Sequence, residues 1–346
     1  MQPTGVAAIR AAAEQVLDPD ALAYYQAVAG EQPAGGDSRD TAAWNALDIL
    51  PRYLRGITDI DTSVRVGELT LPTPVTIAPT ASHGLAHPDA ERATASGAGQ
   101  VGALYIFSTS ATASAAEVGA ATGGPWWAQL YLLADRARSR QYLDEVRAAG
   151  AGAIVFTVDY GGQIGWSRFR STVQQRLVTE SGNYPDLGWH RLSTSIEQSL
   201  MPDDIGWVAE NSRLPVWVKG ILHPADAVAA IDAGAAGIVV SNHGRRQLDG
   251  VVSTARALPA VIDAVGGRVP VMVDGGIRSG SDVLRALALG ACAVGVGRPA
   301  LWALAAGGAE GVAEMLTLLT EELVTAMASA GVASTADIGA DLLAPG

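Results

Sequence analysis

Short apolar runs rich in β-branched and aromatic residues alternate along this chain with longer alanine-rich stretches whose apolar positions recur at helical spacing. Eight runs read as buried strands: Val75–Pro79, Leu104–Ser108, Trp126–Tyr131, Ile154–Asp159, Val216–Lys219, Ile238–Ser241, Val271–Asp274 and Ala293–Gly297. Between them, segments such as Asp135–Ala149, Pro224–Ala233 and Ser281–Leu289 read as helices, with Pro224 suited to a first turn and Gly234 to a cap beyond the last. Strands alternating with helices predict parallel pairing, and eight such units predict a (β/α)8 TIM barrel in the α/β class. A doubly wound open sheet is the alternative compatible with the same alternation. One domain over residues 1–346 is expected: an N-terminal helical extension over 1–65, then a barrel over 66–346. Residues 8–30 predict a helix and Gly30–Asp37 a loop. The irregular segment 161–203, with Trp166 and Trp189 scattered through it, predicts an active-site loop after the fourth strand.

Composition narrows the function. The 346 residues are 49% hydrophobic, enough for a large core. With 23 Lys and Arg against 35 Asp and Glu, the net charge of −12 makes nucleic acid or an anionic membrane a poor partner for the overall field. The single cysteine, Cys292, lies in an apolar run and reads as a small buried residue. Met1–Gly5 lacks the basic-then-apolar order of a signal peptide, and no apolar run is long enough to cross a membrane, so a cytoplasmic protein is expected.

The candidate chemistry gathers at the carboxyl ends of the strands, where barrels keep their sites. After the apolar run Ala236-Gly237-Ile238-Val239-Val240 come Ser241-Asn242-His243-Gly244-Arg245-Arg246-Gln247-Leu248-Asp249-Gly250. The imidazole of His243 moves protons near neutral pH, and the Arg246 guanidinium can grip a carboxylate through two parallel hydrogen bonds. Gln129 and Tyr131, and likewise Thr157 and Asp159, are two apart and so share a strand face. An aspartate there can orient His243. Lys219 ends the fifth strand; a snorkelling lysine, a Schiff-base lysine and a cation stabilising a reduced cofactor are all open readings. Asp274-Gly275-Gly276-Ile277-Arg278 and Gly295-Val296-Gly297-Arg298-Pro299 close the seventh and eighth strands and predict a phosphate site, their arginines adding charge to backbone N–H groups. Neither is the GxGxxG of a nicotinamide-binding unit. His83 and His87 have the spacing of a helical metal pair, but Gly84 and Pro88 oppose a regular helix there, and no metal site is expected.

Together these motifs resemble the FMN-dependent α-hydroxy-acid oxidase and dehydrogenase family, over nearly the whole chain from Ala23-Tyr24-Tyr25 to Glu321–Ala328. The sharpest matches are Ala78-Pro79-Thr80-Ala81 with Ala86-His87-Pro88, Gln129-Leu130-Tyr131, Thr157-Val158-Asp159, Val218-Lys219-Gly220, Ser241–Gly244 with Arg246–Asp249, Asp274–Arg278 and Gly297-Arg298-Pro299. The resemblance implies bound FMN, with Lys219 beside the flavin N1/O2 edge, and Ser108, Gln129, Thr157 and Ser241 along its polar edge. Ala78, Pro79, Thr80 and Ala81 would lie near N5. Asp274, Gly276, Arg278, Gly297 and Arg298 would hold the ribityl phosphate. His243 would be the base, partnered by Asp159, with Arg246 and Tyr24 on the substrate carboxylate and Tyr131 on its hydroxyl oxygen. The implied reaction oxidises an (S)-2-hydroxy acid to the 2-keto acid, with O2 as acceptor giving hydrogen peroxide. The resemblance also implies a homo-oligomer, with a tetramer among the options.

The chain departs from the family's pattern after Asp159. Where relatives have a proline-containing turn and then Leu-Gly-Arg-Arg, this chain reads Tyr160-Gly161-Gly162-Gln163-Ile164-Gly165-Trp166-Ser167-Arg168. Ser167 falls on the second carboxylate-binding arginine, and Arg168 is the candidate to replace it. Ser110 stands where a large side chain is common, which predicts room for a bulky or aromatic (mandelate-like) substrate beside a lactate-like one. A dehydrogenase with another acceptor, an oxidase of an amine or peptide-derived substrate, and a non-redox phosphate-binding or Schiff-base barrel are the alternatives.

Overall fold

In the computed structural model, residues 4–29, 38–160, 181–187 and 189–345 are described. A two-stranded antiparallel hairpin, β1 (Val64–Val66) and β2 (Leu69–Leu71), precedes eight parallel strands. These are β3 (Val75–Ile77), β4 (Tyr105–Phe107), β5 (Trp126–Leu130), β6 (Ile154–Thr157), β7 (Val216–Ile221), β8 (Gly237–Val240), β9 (Val271–Asp274) and β10 (Ala293–Val296). They pair in sequence order, and β10 closes on β3 to complete the barrel. All eight coincide with predicted runs, so the barrel holds and the open sheet does not.

Each strand is buried on both faces, and the faces differ. Leu104, Ile106, Trp127, Val155, Trp217, Val239, Met272 and Ala293 form an interior cluster, sealed below by Val66 and Leu71 of the hairpin. The alternate residues, among them Tyr105, Phe107, Leu130, Ile154, Val218, Ile238 and Val273, join the core under the helices. Two residues beyond the interior apolar layer, the same faces become polar: Ser108 after Ile106, Gln129 after Trp127, Thr157 after Val155, Lys219 after Trp217, Ser241 after Val239 and Asp274 after Met272. One step of the period-two repeat thus converts barrel core into binding site.

Two expectations change. Residues 8–30 are not one helix: Val6–Val16 ends before Leu17, and Asp18 caps a second helix, Pro19–Gln26, by accepting from the Asp20 and Ala21 N–H groups. Proline at a first turn restarts a helix rather than continuing one. The 161–203 segment is not wholly irregular, since Trp189–Ser195 is helical. The helix containing Glu321–Ala328 runs from Arg298 to Ala330, bent at Gly308 (φ 60°, ψ −140°). The loop expected at Gly30–Asp37, and Trp166, Ser167 and Arg168, lie outside the described residues.

Candidate active site

The polar strand ends surround one cavity lined by Tyr24, Ala78–Ala81, Ser108, Gln129, Tyr131, Thr157, Lys219, His243, Arg246, Asp274, Gly276, Arg278, Gly297 and Arg298. Of the sequence-derived candidates, Asp159 and Ser241 sit just behind this wall, bonded to His243 and Lys219.

His243 is the centre of a short relay. Its Nδ1 lies 3.0 Å from Asp159 Oδ1 and its Nε2 lies 3.2 Å from the Tyr131 hydroxyl. Burial alone would raise the Asp159 carboxyl, but the His243 ring and Lys219 outweigh it and hold it below the usual carboxylate range. An ionised carboxylate only accepts hydrogen bonds, so Nδ1 carries the hydrogen and Nε2 of neutral His243 is left as an acceptor. Burial first, and the Asp159 charge second, push the Tyr131 phenol well above its ordinary value. Tyr131 therefore stays protonated and donates toward that nitrogen or toward a ligand placed between them.

Asp159 reaches this position because β7 makes room for it. Gly220 has φ +104°, and a Cβ there would lie 2.5 Å from Asp159 Cβ. The register between β7 and β8 shifts at the same place, a bulge that turns the strand away next to the site. The sequence signal is the glycine directly after Lys219.

His243, Gly244 and Arg245 all have positive φ (56°, 61° and 63°). For the two L side chains this costs about 1–2 kcal/mol each and persists only under outside constraint. The constraints are visible. The Gly244 carbonyl accepts from Arg298 Nη2 at 3.0 Å, and the Arg245 carbonyl from Ala29 N–H at 2.8 Å. Nη1 of Arg246 donates to the Tyr24, Tyr25 and Ala27 carbonyls, with the guanidinium 5.2 Å above the Tyr24 ring. Arg246 therefore lines the cavity as expected of a carboxylate ligand, while also tying the end of the second helix to the His243 turn.

Below this turn Lys219, Ser241 and Asp274 form a compact group. Lys219 Nζ donates to Ser241 Oγ at 2.9 Å and lies 3.5 Å from Asp274 Oδ2, and Ser241 Oγ donates to Asp274 Oδ1 at 2.6 Å. The Asp274 carboxylate, expected with the phosphate, is engaged here instead; an anion would repel phosphate, and its place beside Lys219 and Ser241 suits a neighbour of hydroxyl character. Gly276 also has a second role: its φ is +85°, and a Cβ there would meet the Asp40 backbone at 2.7 Å, so the missing side chain admits the helix Ser38–Asn45.

Among the described residues of the wall three buried polar atoms have no partner, Gln129 Nε2, Thr157 Oγ1 and Gln247 Oε1. The Gln129 carbonyl oxygen is taken by the Thr109 N–H at 2.9 Å, which turns the amide's NH2 toward the cavity. An unpartnered buried donor costs about 1–3 kcal/mol, so a ligand with acceptors there is favoured. At the far end, Gly297 precedes the helix Arg298–Ala330 with no side-chain cap, Arg298 and Arg278 line the wall, and Arg278 lies 5.3 Å over the Trp302 ring. A side chain at Gly297 would reach within 3.3 Å of Thr80 Cγ2 and narrow this end. Donors along one edge, a lysine beside them and an open helix N-terminus with two arginines fit a planar polar ring bearing a phosphate tail, as FMN does.

The fold also recruits residues with no sequence role assigned: Tyr160, whose ring centroid is 5.0 Å from that of Tyr131, and Ser193, Ile196, Gln247 and Leu301. Tyr160, adjacent to Asp159, and Gln247, adjacent to Arg246, had a positional signal. His83, one of the spaced histidine pair, is fully buried behind the cavity wall, with Nε2 2.7 Å from Thr80 Oγ1 and Nδ1 2.8 Å from Thr94 Oγ1. Cys292 is half-buried at the opposite end of the barrel, where burial pushes its thiol up to about 12.

Comparison with known proteins adds an independent line. The model of the FMN-dependent dehydrogenase family matches residues 13–345. An L-lactate oxidase of Alicycliphilus denitrificans is 41% identical over 345 residues, covering 96% of this chain and 94% of that protein. The 2-hydroxyacid oxidase 2 of Bos taurus is 40% identical, covering 87% of this chain and 88% of that protein. A crystal structure of a mandelate oxidase superimposes with a TM-score of 0.88 at 38% identity, covering 96% of each chain.

Proposed function

The chain belongs to the FMN-dependent dehydrogenase family, and on that premise we propose that it oxidises an (S)-2-hydroxy acid to the 2-keto acid and passes the electrons to O2, giving hydrogen peroxide. When bound, FMN would accept the two electrons from the hydroxy acid and pass them to O2. Gln129, Thr157, Ser108 and Lys219 would hold its ring, Ala78–Ala81 would flank it, and Arg278, Arg298 and the backbone around Gly297 would hold the phosphate.

The observation that carries the reading is the Asp159–His243–Tyr131 relay, which holds His243 Nε2 at the same cavity that the unpartnered groups of Gln129 and Thr157 line. His243 takes the proton that leaves the substrate during oxidation. Asp159 stabilises the resulting imidazolium by accepting from Nδ1. Tyr131, held protonated, donates to the substrate oxygen. Arg246, with Tyr24 beneath its guanidinium, orients the carboxylate at the mouth. Lys219, fixed by Ser241 and Asp274, would offer its ammonium to the FMN ring and stabilise negative charge developing there.

Ser110 and the Tyr131–Tyr160 pair line the same cavity and would face the substrate's side chain, the small Ser110 favouring an aryl group as well as a methyl. Oxygen uptake with (S)-lactate and (S)-mandelate tests the reading: one H2O2 formed per O2 consumed supports it. Turnover with an artificial dye but without peroxide would instead assign a dehydrogenase.

A further inference from the structure

We propose that Asp40, in the N-terminal extension, is a positioning residue for His243, acting through Asn242 on the left-handed turn that carries the base; this rests on the reading of His243 as that base. The two residues are 202 positions apart in sequence, yet Asn242 Nδ2 lies 3.0 Å from each Asp40 carboxylate oxygen. The same Nδ2 lies 3.3 Å from the Val252 carbonyl, so it is gripped from two sides. Asp40, Asn242 and Arg245 are 2%, 3% and 2% exposed, and Arg245 Nη1 lies 4.0 Å from Asp40 Oδ1. The carboxylate therefore faces both flanks of the His243–Gly244 pair, the amide before it and the guanidinium after it. Charge-assisted bonds of this kind are among the stronger ones available to a buried amide.

The helix bearing Asp40 is itself fixed to the barrel. Trp44 Nε1 donates to the Gly275 carbonyl at 2.8 Å and Thr41 Oγ1 to the Gly276 carbonyl at 3.3 Å. Gly276, without a side chain, lets the backbone of Asp40 come close. Asp40 thus transmits a rigid reference from β9 to the turn after β8. Asn242 precedes His243 directly, so its side-chain anchor fixes the peptide from which the base departs. A strained turn needs such anchors, since relaxing it would swing the imidazole away from Asp159 and Tyr131.

The test compares Asp40→Asn, Asn242→Asp and the exchanged double variant D40N/N242D in anaerobic single-turnover flavin reduction by (S)-lactate and (S)-mandelate. Each single change removes the carboxylate–amide pair, and the double change restores it with the partners exchanged. Asp40→Asn should retain bound flavin with its normal spectrum, lower the limiting reduction rate by roughly 10–100-fold and change half-saturation by no more than about threefold, as expected of a displaced base rather than a lost binding group. The double variant restores the carboxylate–amide pair but not the bond to the Val252 carbonyl, so it should recover part of that rate and exceed both single variants. Single-variant rates within about twofold of the parent would overturn the proposal. So would a double variant no faster than either single one. If the single variants fail to fold, the double variant must still fold and reduce its flavin, and its failure to do so would equally overturn it. Absence of reduction in the parent protein would count against the oxidase reading itself, which separates the two failures.

Discussion

At the scale of single residues, the site depends on who stands next to whom. His243 is a useful base because Asp159 stays ionised behind it and Tyr131 stays protonated in front. Gly220 is part of that arrangement although it carries no functional group. Gly220→Ala would force a Cβ to 2.5 Å from Asp159 Cβ in a backbone conformation hostile to alanine. The expected outcome is a reduction rate lowered by about 10²-fold with flavin retained, and little further loss when Asp159→Asn is added. Full additivity of the two losses in stopped-flow measurements would show that Gly220 acts elsewhere. Most residue-level candidates were legible because a strand's last polar residue faces where the preceding apolar alternation says it must. Asp40 and Gly220 were not assigned roles, because the first works through a contact 202 residues away and the second through empty space. The paired engagement of Asp274 was likewise invisible: spacing places it at a glycine turn but does not show that Ser241 and Lys219 claim its oxygens.

At the scale of elements, the eight strands were readable because burial on both faces leaves uninterrupted apolar runs between glycine and proline stops. The N-terminal extension was less so. Its helical period continues across Leu17-Asp18-Pro19, and only the Asp18 cap and the extended backbone there divide it. The floor of the barrel carries its own prediction. Trp217 is 1% exposed, its ring centroid lies 4.9 Å from that of Trp127 with the planes tilted by 39°, and it lies against Gly237, where a Cβ would be 2.4 Å from its ring. Trp217→Ala should cost about 3–5 kcal/mol of stability, read as a lowered unfolding midpoint. Because Lys219 is two residues further on the same face, the variant should also bind flavin more weakly. An unfolding free energy unchanged within about 0.5 kcal/mol would contradict this picture of the floor.

At the scale of the whole molecule, an acidic chain of net charge −12 concentrates Lys219, Arg246, Arg278 and Arg298 around one cavity, so the local field at the site opposes the overall one. Stability carries a pH signature from His83. Burial holds its imidazole below the ordinary value, opposed by the Glu91 carboxylate, whose Oε1 accepts from the His83 backbone N–H at 3.0 Å. The unfolded chain takes up a proton near pH ~6.5 and the folded one resists, so this contribution is present above that range and is lost as pH falls below it, by at most about 1.4 kcal/mol per pH unit. His83→Gln should therefore be less stable at neutral pH but show a flatter loss of unfolding free energy as pH falls to about 5. An unchanged slope would place the acid sensitivity on other groups.

The most direct test of the proposed chemistry is anaerobic flavin bleaching by (S)-2-hydroxy acids of graded size, followed in the parent protein and in His243→Ala. The relay predicts a yellow protein that bleaches with at least one such acid, and a variant that keeps its flavin but is slower by about 10²–10⁴-fold. No bleaching with any acid of the series, or an undiminished rate in His243→Ala, would contradict it.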